Sequence, residues 1–264
     1  MTLVIFLCLL PVFLVLAIYM YKEAHADRVV FHEWSFPGFP ESFGSVRIFF
    51  ITDIHKRIVS EQVIRSVKGK ADFVVVGGDL LEKGVPLEQV EKNIIRLKSI
   101  GPVYFVWGNN DYETDIHVFK ALLERHGTVI LDNTAVVFES AAGERFALLG
   151  VNDAGKKRDR LDLALKAADA ADFKILISHN PCIVKKLSPG HGVDLVLSGH
   201  THGGQIRIFG LGLYEKGGIK KTPAATLFVS NGYGTTKLPF RLGTKAETHF
   251  ITSSACLSRS WPAK

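Results

Sequence analysis

Seven residues share one chemistry and one setting: Asp53, His55, Asp79, Asn109, His179, His200 and His202 each come soon after a short apolar run, and most stand beside glycine. Imidazole nitrogens with carboxylate or amide oxygens form a donor set suited to ions of the Mn, Fe and Zn class. The histidines disfavour an all-oxygen, calcium-type shell. Three oxygen-bearing side chains and four imidazoles are enough for two divalent ions. Each residue alone has a plain structural explanation. An Asp after a strand caps a helix, a buried His is simply hydrogen bonded, and Ser198–Gln205 could be a glycine-rich turn. The recurrence in five places is what argues for a shared site.

Elements that could bring these residues together follow from hydrophobic pattern. Val46–Ile51, Asp72–Val76, Val103–Trp107, Lys174–Ser178 and Asp194–Leu197 are apolar runs of the length and content of buried strands. Between the first three lie helical segments at Ser60–Lys68 and Leu87–Leu97, the latter with Leu87, Val90, Ile94 and Leu97 at three- and four-residue steps. A further helix is expected at Ile116–Glu124, N-capped by Asp115, and another at Leu161–Ala170. Val29–His32 reads as an edge strand, followed by a turn-rich connector at Ser35–Pro40. Val129–Leu131, Ala135–Phe138, Phe146–Val151, Gln205–Phe209, Leu227–Ser230 and His249–Thr252 are the remaining expected strands. Such an α/β alternation gathers strand C-termini along one sheet edge, where ligands bind. Extended backbone would point Asp53 and His55, two apart, to the same side.

Apolar residues make up 47% of the chain and the net charge is +6. That composition supports a packed core and suits anionic partners: phosphate esters, nucleic acid or acidic lipid. Cys8, Cys182 and Cys256 show no metal-type spacing, and Cys8 falls in the apolar N-terminus, leaving one candidate pair. No charged residue occurs from Leu3 to Tyr21, a run just long enough to cross a bilayer core. Pro11 is tolerable in a membrane helix, and Tyr19 and Tyr21 sit where an aromatic belt lies. We expect a retained single-pass anchor at the cell membrane. A signal peptide cleaved at Ala24-His25-Ala26 is the competing reading. Lys22 and Arg28 give only a faint indication of sidedness, so the side stays open.

Together, Asp53-x-His55, Gly78-Asp79, Gly108-Asn109, His179 and Gly199-His200-x-His202 resemble the motif set of the calcineurin-like metallophosphoesterases. The wording Ile51-Thr52-Asp53-Ile54-His55 and Gly199–Gln205 is similar to the membrane-associated bacterial branch, which includes proteins similar to UDP-2,3-diacylglucosamine hydrolases. The resemblance implies a four-layer α-β-β-α sandwich, here behind an N-terminal transmembrane helix. Its expected organisation is an anchor at 1–21, a connector at 22–45, the phosphoesterase domain at 46–252 and a loose tail at 253–264. It further implies that Asp53, His55 and His202 hold one metal, that Asn109, His179 and His200 hold the other, and that Asp79 bridges them. Two such ions would lower the pKa of a bridging water and clamp the phosphate, so that hydroxide attacks phosphorus in line.

One position departs from the family. Where a histidine usually follows the metal-binding Asn, this chain has Asn110, giving Gly108-Asn109-Asn110-Asp111. An amide donates hydrogen bonds but delivers no proton near neutral pH, which points to phosphate esters with good leaving groups. Asp111 or a water on the metals could substitute. Loops Gly210–Gly218 and Leu238–Phe240 are apolar enough to meet an acyl chain, so a lipid-linked phosphate is the substrate suggested by proximity to a membrane. Two other functions remain. A nuclease is consistent with the basic cluster Lys156, Lys157, Arg158 and Arg160, though no nucleic-acid module accompanies it, so nucleic acid is not the expected partner. A non-catalytic metal scaffold is consistent with Asn110.

Overall fold

Strand residues here alternate between two cores, and that alternation sets the architecture. In the strand Ser45–Ile51, Val46, Ile48 and Phe50 face one cluster of apolar side chains while Phe49 and Ile51 face another. The same division holds for Leu195 and Leu197 against Val196. Both faces of each sheet are therefore covered. The computed structural model describes the backbone of residues 2–256 and the side chains of residues 9–256.

The elements run in order α1 (Thr2–Ala24), β1 (Val29–Phe36), β2 (Ser45–Ile51), α2 (Glu61–Val67), β3 (Phe73–Val76), α3 (Leu87–Lys98), β4 (Val103–Phe105), α4 (Ile116–Arg125) and β5 (Val129–Ile130). They continue with β6 (Thr134–Glu139), β7 (Arg145–Gly150), α5 (Leu161–Ala167), β8 (Phe173–Ile177), β9 (Leu195–Ser198), β10 (Gly218–Lys221), β11 (Thr226–Val229) and β12 (Thr248–Ala255). Two six-stranded mixed sheets result, ordered β1-β12-β2-β3-β4-β5 and β10-β11-β9-β8-β7-β6. Their facing sides share one core, with Phe50, Val75, Phe146, Ile175 and Phe228 among its members. Side chains of α2, α3 and α4 cover the outer face of the first sheet, and α5 with neighbouring loops covers the second. The α/β fold is thus a four-layer sandwich. Strands β2 to β5 are parallel, as are β7, β8, β9 and β11.

Local capping explains two of the helix starts. Ser60 accepts a hydrogen bond from Val63 N, and Asp115 accepts from His117 N and Val118 N, satisfying otherwise orphaned donors. Three expectations need correction. Gln205–Phe209 is not a strand: Ile206 and Ile208 make only isolated bridges, to Leu242 and Leu211. The edge strand expected over Val29–His32 extends to Phe36, because it pairs in parallel with β12 along its whole length. β10, with Lys220 and Lys221, lacks an apolar run and was not expected.

Helix α1 carries exposed apolar side chains from Leu9 to Tyr21. Among the described residues no helix is long and apolar enough to cross a membrane. The expected span also includes residues 1–8, whose side chains lie outside the described residues. Of the tail expected at 253–264, residues up to Ala255 complete β12, and 257–264 lie outside the described residues. Cys182 and Cys256 are not joined to each other, and Cys8 falls outside the described side chains.

Candidate metal centre

The seven residues sit just beyond the C-terminal ends of parallel strands in both sheets: Asp53 and His55 after β2, Asp79 after β3, Asn109 after β4, His179 after β8, and His200 and His202 after β9. Six of them form two clusters, Asp53/His55/His202 and Asp79/His179/His200, with ligand atoms in each within 4.8 Å of one another. In the first, His55 Nε2 lies 3.2 Å from His202 Nε2, and His202 Nε2 lies 3.3 Å from Asp53 Oδ1. In the second, His179 Nε2 is 3.1 Å from Asp79 Oδ2 and 3.3 Å from His200 Nδ1. The Asp79 carboxylate joins them, since Oδ2 is also 3.8 Å from His55 Nε2. Asn109 lines the same pocket, and its buried Oδ1 has no hydrogen-bond partner. Converging imidazole nitrogens, two carboxylates and an orphaned amide oxygen fit divalent cations, because protons alone cannot satisfy so many facing acceptors.

The backbone that aims these groups is unusual. Asp53, His55, Asp79, His200 and His202 all have positive φ, between 50° and 70°. Non-glycine residues reach this left-handed region at a cost, and such strain concentrates at functional sites. This corrects the extended geometry expected for Asp53 and His55. They converge through a left-handed turn, fixed by Asp53 N donating to Gly78 O and His55 N donating to Asp79 O. Glycine is needed where loops touch. A methyl on Gly108 would overlap Asp79, and one on Gly199 would overlap Asp53 and Thr52.

Partners behind the donors fix their orientation. His179 Nδ1 donates to Gly77 O at 2.8 Å, and His55 Nδ1 lies 3.0 Å from Glu82 Oε2. Glu82 also pairs with Lys56 at 2.8 Å. Thr52 Oγ1 donates to Asp53 Oδ2, and His200 N donates to the same carboxylate. This is the support that metal-binding histidines and carboxylates require. Burial opposes charge on His179, yet the Asp79 carboxylate and its hydrogen bond push the imidazole up to about 10. Burial, then His55 and Arg241, holds His202 well below its ordinary value. Each cluster thus pairs one carboxylate with one imidazole whose pKa is raised and one whose pKa is lowered, carboxylates and imidazoles being the donors a divalent cation takes.

Asn110 and Asp111 are placed differently. Asn110 lines the pocket, but its Nδ2 donates to Glu113 Oε1 and its Oδ1 accepts from Asn109 Nδ2. Asp111 is fully buried and does not face the pocket. Oδ2 accepts from Gly108 N and Asp79 N, and Oδ1 accepts from Leu80 N and Leu81 N. Burial and the neighbouring Asp79 push its carboxyl up to about 7. The expectation that Asp111 could act on substrate therefore gives way to bracing of the Asp79 and Asn109 loops.

Two residues without a clear mark in the sequence complete the site. Glu82 had no signal beyond following Gly78-Asp79 by three residues. Arg241 is fully buried, with Nη2 donating to the carbonyls of Asn231, Gly232 and Gly234 and lying 3.3 Å from His202 Nδ1. Burial lowers its pKa to about 10. A lone arginine after Leu238-Pro239-Phe240 was its only signal. The pocket above the centre encloses about 460 Å³, and Ile206, Leu213, Tyr214, Lys237 and Leu238 line its outer wall.

Known proteins resemble this chain. The family described as calcineurin-like phosphoesterase matches residues 46–204. Over 207 residues the chain is 44% identical to the uncharacterized protein YpbG of Bacillus subtilis (strain 168), covering 78% of this chain and 80% of that one. It is 31% identical to an uncharacterized metallophosphoesterase of Helicobacter pylori (strain ATCC 700392 / 26695), over 78% of this chain but only 59% of that protein's length. It is 25% identical to phosphodiesterase YaeI of Escherichia coli (strain K12), over 71% of each. The crystal structure of a 5'-nucleotidase precursor from Thermus thermophilus shares the fold, with a TM-score of 0.51 at 13% identity over 79% of this chain and 55% of that one.

Proposed function

The chain belongs to the calcineurin-like phosphoesterase family, metal-dependent hydrolases of phosphate esters with two divalent ions, and from that premise we propose how its residues divide the work. Asp53, His55 and His202 hold one ion, Asn109, His179 and His200 hold the other, and Asp79 is shared. The observation that carries this reading is the pair of donor clusters meeting at Asp79, with the orphaned Asn109 Oδ1 beside them. When bound, the ions supply positive charge for the phosphate oxygens and lower the pKa of water.

The protein's own residues position and exclude. Glu82, Thr52 and Gly77 orient His55, Asp53 and His179 before any ion arrives, so little reorganisation accompanies binding. Asp111 ties the backbone of Asp79 to that of Gly108, fixing the spacing between the shared carboxylate and Asn109. Asn110 holds no transferable proton near neutral pH, and its amide is already engaged by Glu113 and Asn109. The substrates favoured are therefore esters and anhydrides whose leaving group departs without protonation, such as the phenolate of an aryl ester or the nucleoside monophosphate of a pyrophosphate.

Location is the second part of the proposal. Helix α1 anchors the enzyme in the cell membrane, supported by the charge-free sequence from Leu3 to Tyr21 and the exposed apolar side chains from Leu9 to Tyr21. A phosphodiester or pyrophosphate linked to lipid is the substrate class that this placement and the apolar pocket wall support. Manganese is the ion to try first, as a member of the Mn, Fe and Zn class that carboxylate and imidazole donors together suit. The test is a screen of purified full-length protein with Mn²⁺ against aryl diesters, monoesters, phospholipids and nucleotide-linked lipids, with Asp79→Asn as control. Turnover of lipid pyrophosphates or diesters over monoesters is expected. Equal turnover by Asp79→Asn would overturn the assignment.

A further inference from the structure

The loop after the last two histidines ends in a rigid apolar point. Ile208 and Leu211 bridge each other, and between them Phe209 and Gly210 both take positive φ, 51° and 82°. The turn leaves Phe209 100% exposed, with Leu211 at 78% and Leu213 at 92%. This is not slack chain. The Arg207 guanidinium donates to the carbonyls of Gly203, Gly210 and Tyr214, and Arg207 N donates to Leu242 O at 2.8 Å. Gln205 binds the neighbouring loop through Thr236 and Leu238. A fully exposed phenylalanine held at the tip of a hydrogen-bonded turn, with three aliphatic neighbours, is costly in water and suited to an apolar medium.

The same backbone joins the tip to α1. Leu242, which pairs with Gln205 and Arg207, adjoins Arg241, whose N–H donates to Met20 O near the end of α1 at 3.0 Å. Arg57 fastens the following turn, donating to Ala24 O, His25 O and Ala26 O and to the Asp27 carboxylate. The apolar helix and the apolar tip are thus tied to one patch, and exposed Lys216, Lys237 and Lys245 lie along the connecting loops. The pocket wall of Leu213, Tyr214 and Leu238 belongs to that patch.

We propose that Ile208, Phe209, Leu211 and Leu213 form a membrane-dipping tip that seats the pocket mouth against an anionic bilayer surface. The proposal rests on the anchor reading above for the side of the molecule that meets lipid. Dipping places the mouth beside lipid headgroups, so a phosphate-bearing headgroup reaches the centre without leaving the bilayer. The lysines supply the electrostatic half of the attraction, and the aromatic tip the apolar half.

Full-length Phe209→Trp, reconstituted in vesicles containing phosphatidylglycerol brominated at shallow acyl positions, tests this. Emission of the introduced indole, taken as the difference from the unsubstituted protein, is expected to fall roughly twofold relative to unbrominated vesicles, as for a side chain at the headgroup–acyl boundary. Phe209→Ser/Leu211→Ser is expected to retain hydrolysis of soluble bis-p-nitrophenyl phosphate while losing turnover of vesicle-borne ester. A Phe209→Trp protein that enters vesicles yet shows no quenching of the added emission overturns the tip and spares the anchor. Failure to associate with vesicles overturns both. Emission that shifts with protein concentration in lipid-free detergent would assign the patch to a second copy instead and also overturn the proposal.

Discussion

Asn109 donates from Nδ2 to Asn110 Oδ1 at 2.7 Å, while its own Oδ1 stays buried without a partner in a residue that lines the pocket. Asn110 is thereby a positioner of its neighbour as well as the residue standing where a proton donor is expected. Replacing it by histidine exchanges one role for the other. Asn110→His is expected to speed hydrolysis of esters with poor leaving groups by up to about 10²-fold, the lower range of general acid catalysis, with little gain for aryl esters. A plot of rate against leaving-group pKa checks this; an unchanged slope would remove Asn110 from the explanation.

Asp111 accepts four backbone hydrogen bonds with two buried oxygens. Asp111→Asn turns one acceptor into a donor facing N–H groups, an unsatisfied arrangement that costs about 1–3 kcal/mol. The expected outcome is a lower denaturant midpoint together with weaker metal retention, because Asp79 is what those bonds hold. Wild-type stability with lost turnover would instead return Asp111 to a role on substrate.

Close approach of the β3 and β4 loops requires the absence of a side chain at Gly108, where a methyl would strike Asp79. Gly108→Ala is expected to fold with the Asp79 loop displaced and to bind less than the wild-type complement of metal. Gly143→Ala, at a turn where a methyl meets nothing within 4 Å, serves as a comparison for backbone strain alone. Metal content by elemental analysis distinguishes the two.

Away from the centre, buried Ser230 Oγ and His249 and half-buried His32 form a chain, with contacts of 2.8 and 3.1 Å. Burial, then the neighbouring His32, holds His249 well below its ordinary 6.5, and burial lowers His32 as well. The unfolded chain therefore binds these protons below about pH 6.5 while the folded chain does not, so stability falls as pH drops through that window, by at most about 1.4 kcal/mol per pH unit for each histidine. His249→Gln, compared with wild type by urea unfolding in metal-free buffer between pH 7 and 5, is expected to show a shallower decline. Parallel declines would contradict it.

Much of this arrangement was legible because it depends on local pattern. Apolar runs ending in Gly78-Asp79 or Gly108-Asn109 mark strand ends, and Ser60 and Asp115 mark helix starts by cap chemistry. What escaped notice depends on long-range contact. The left-handed backbone at Asp53, His55, Asp79, His200 and His202 comes from hydrogen bonds between different strands' loops, which no local propensity encodes. Arg241 looks like an ordinary surface charge until the fold wraps five carbonyls around it. The stretch after Gln205 has strand-like residues, but its N–H and C=O groups go to Leu242 and to the Arg207 guanidinium instead of a ladder.

Hydrolysis of phosphate esters by two divalent ions shared through Asp79 is open to a direct test. The purified full-length protein is stripped with chelator, Mn²⁺ is titrated back, and bound metal and bis-p-nitrophenyl phosphate hydrolysis are followed together. Activity is predicted to rise with the second equivalent of metal and to be lost in Asp79→Asn. Undiminished hydrolysis by the stripped protein, or full activity at one equivalent, would contradict a shared two-metal centre.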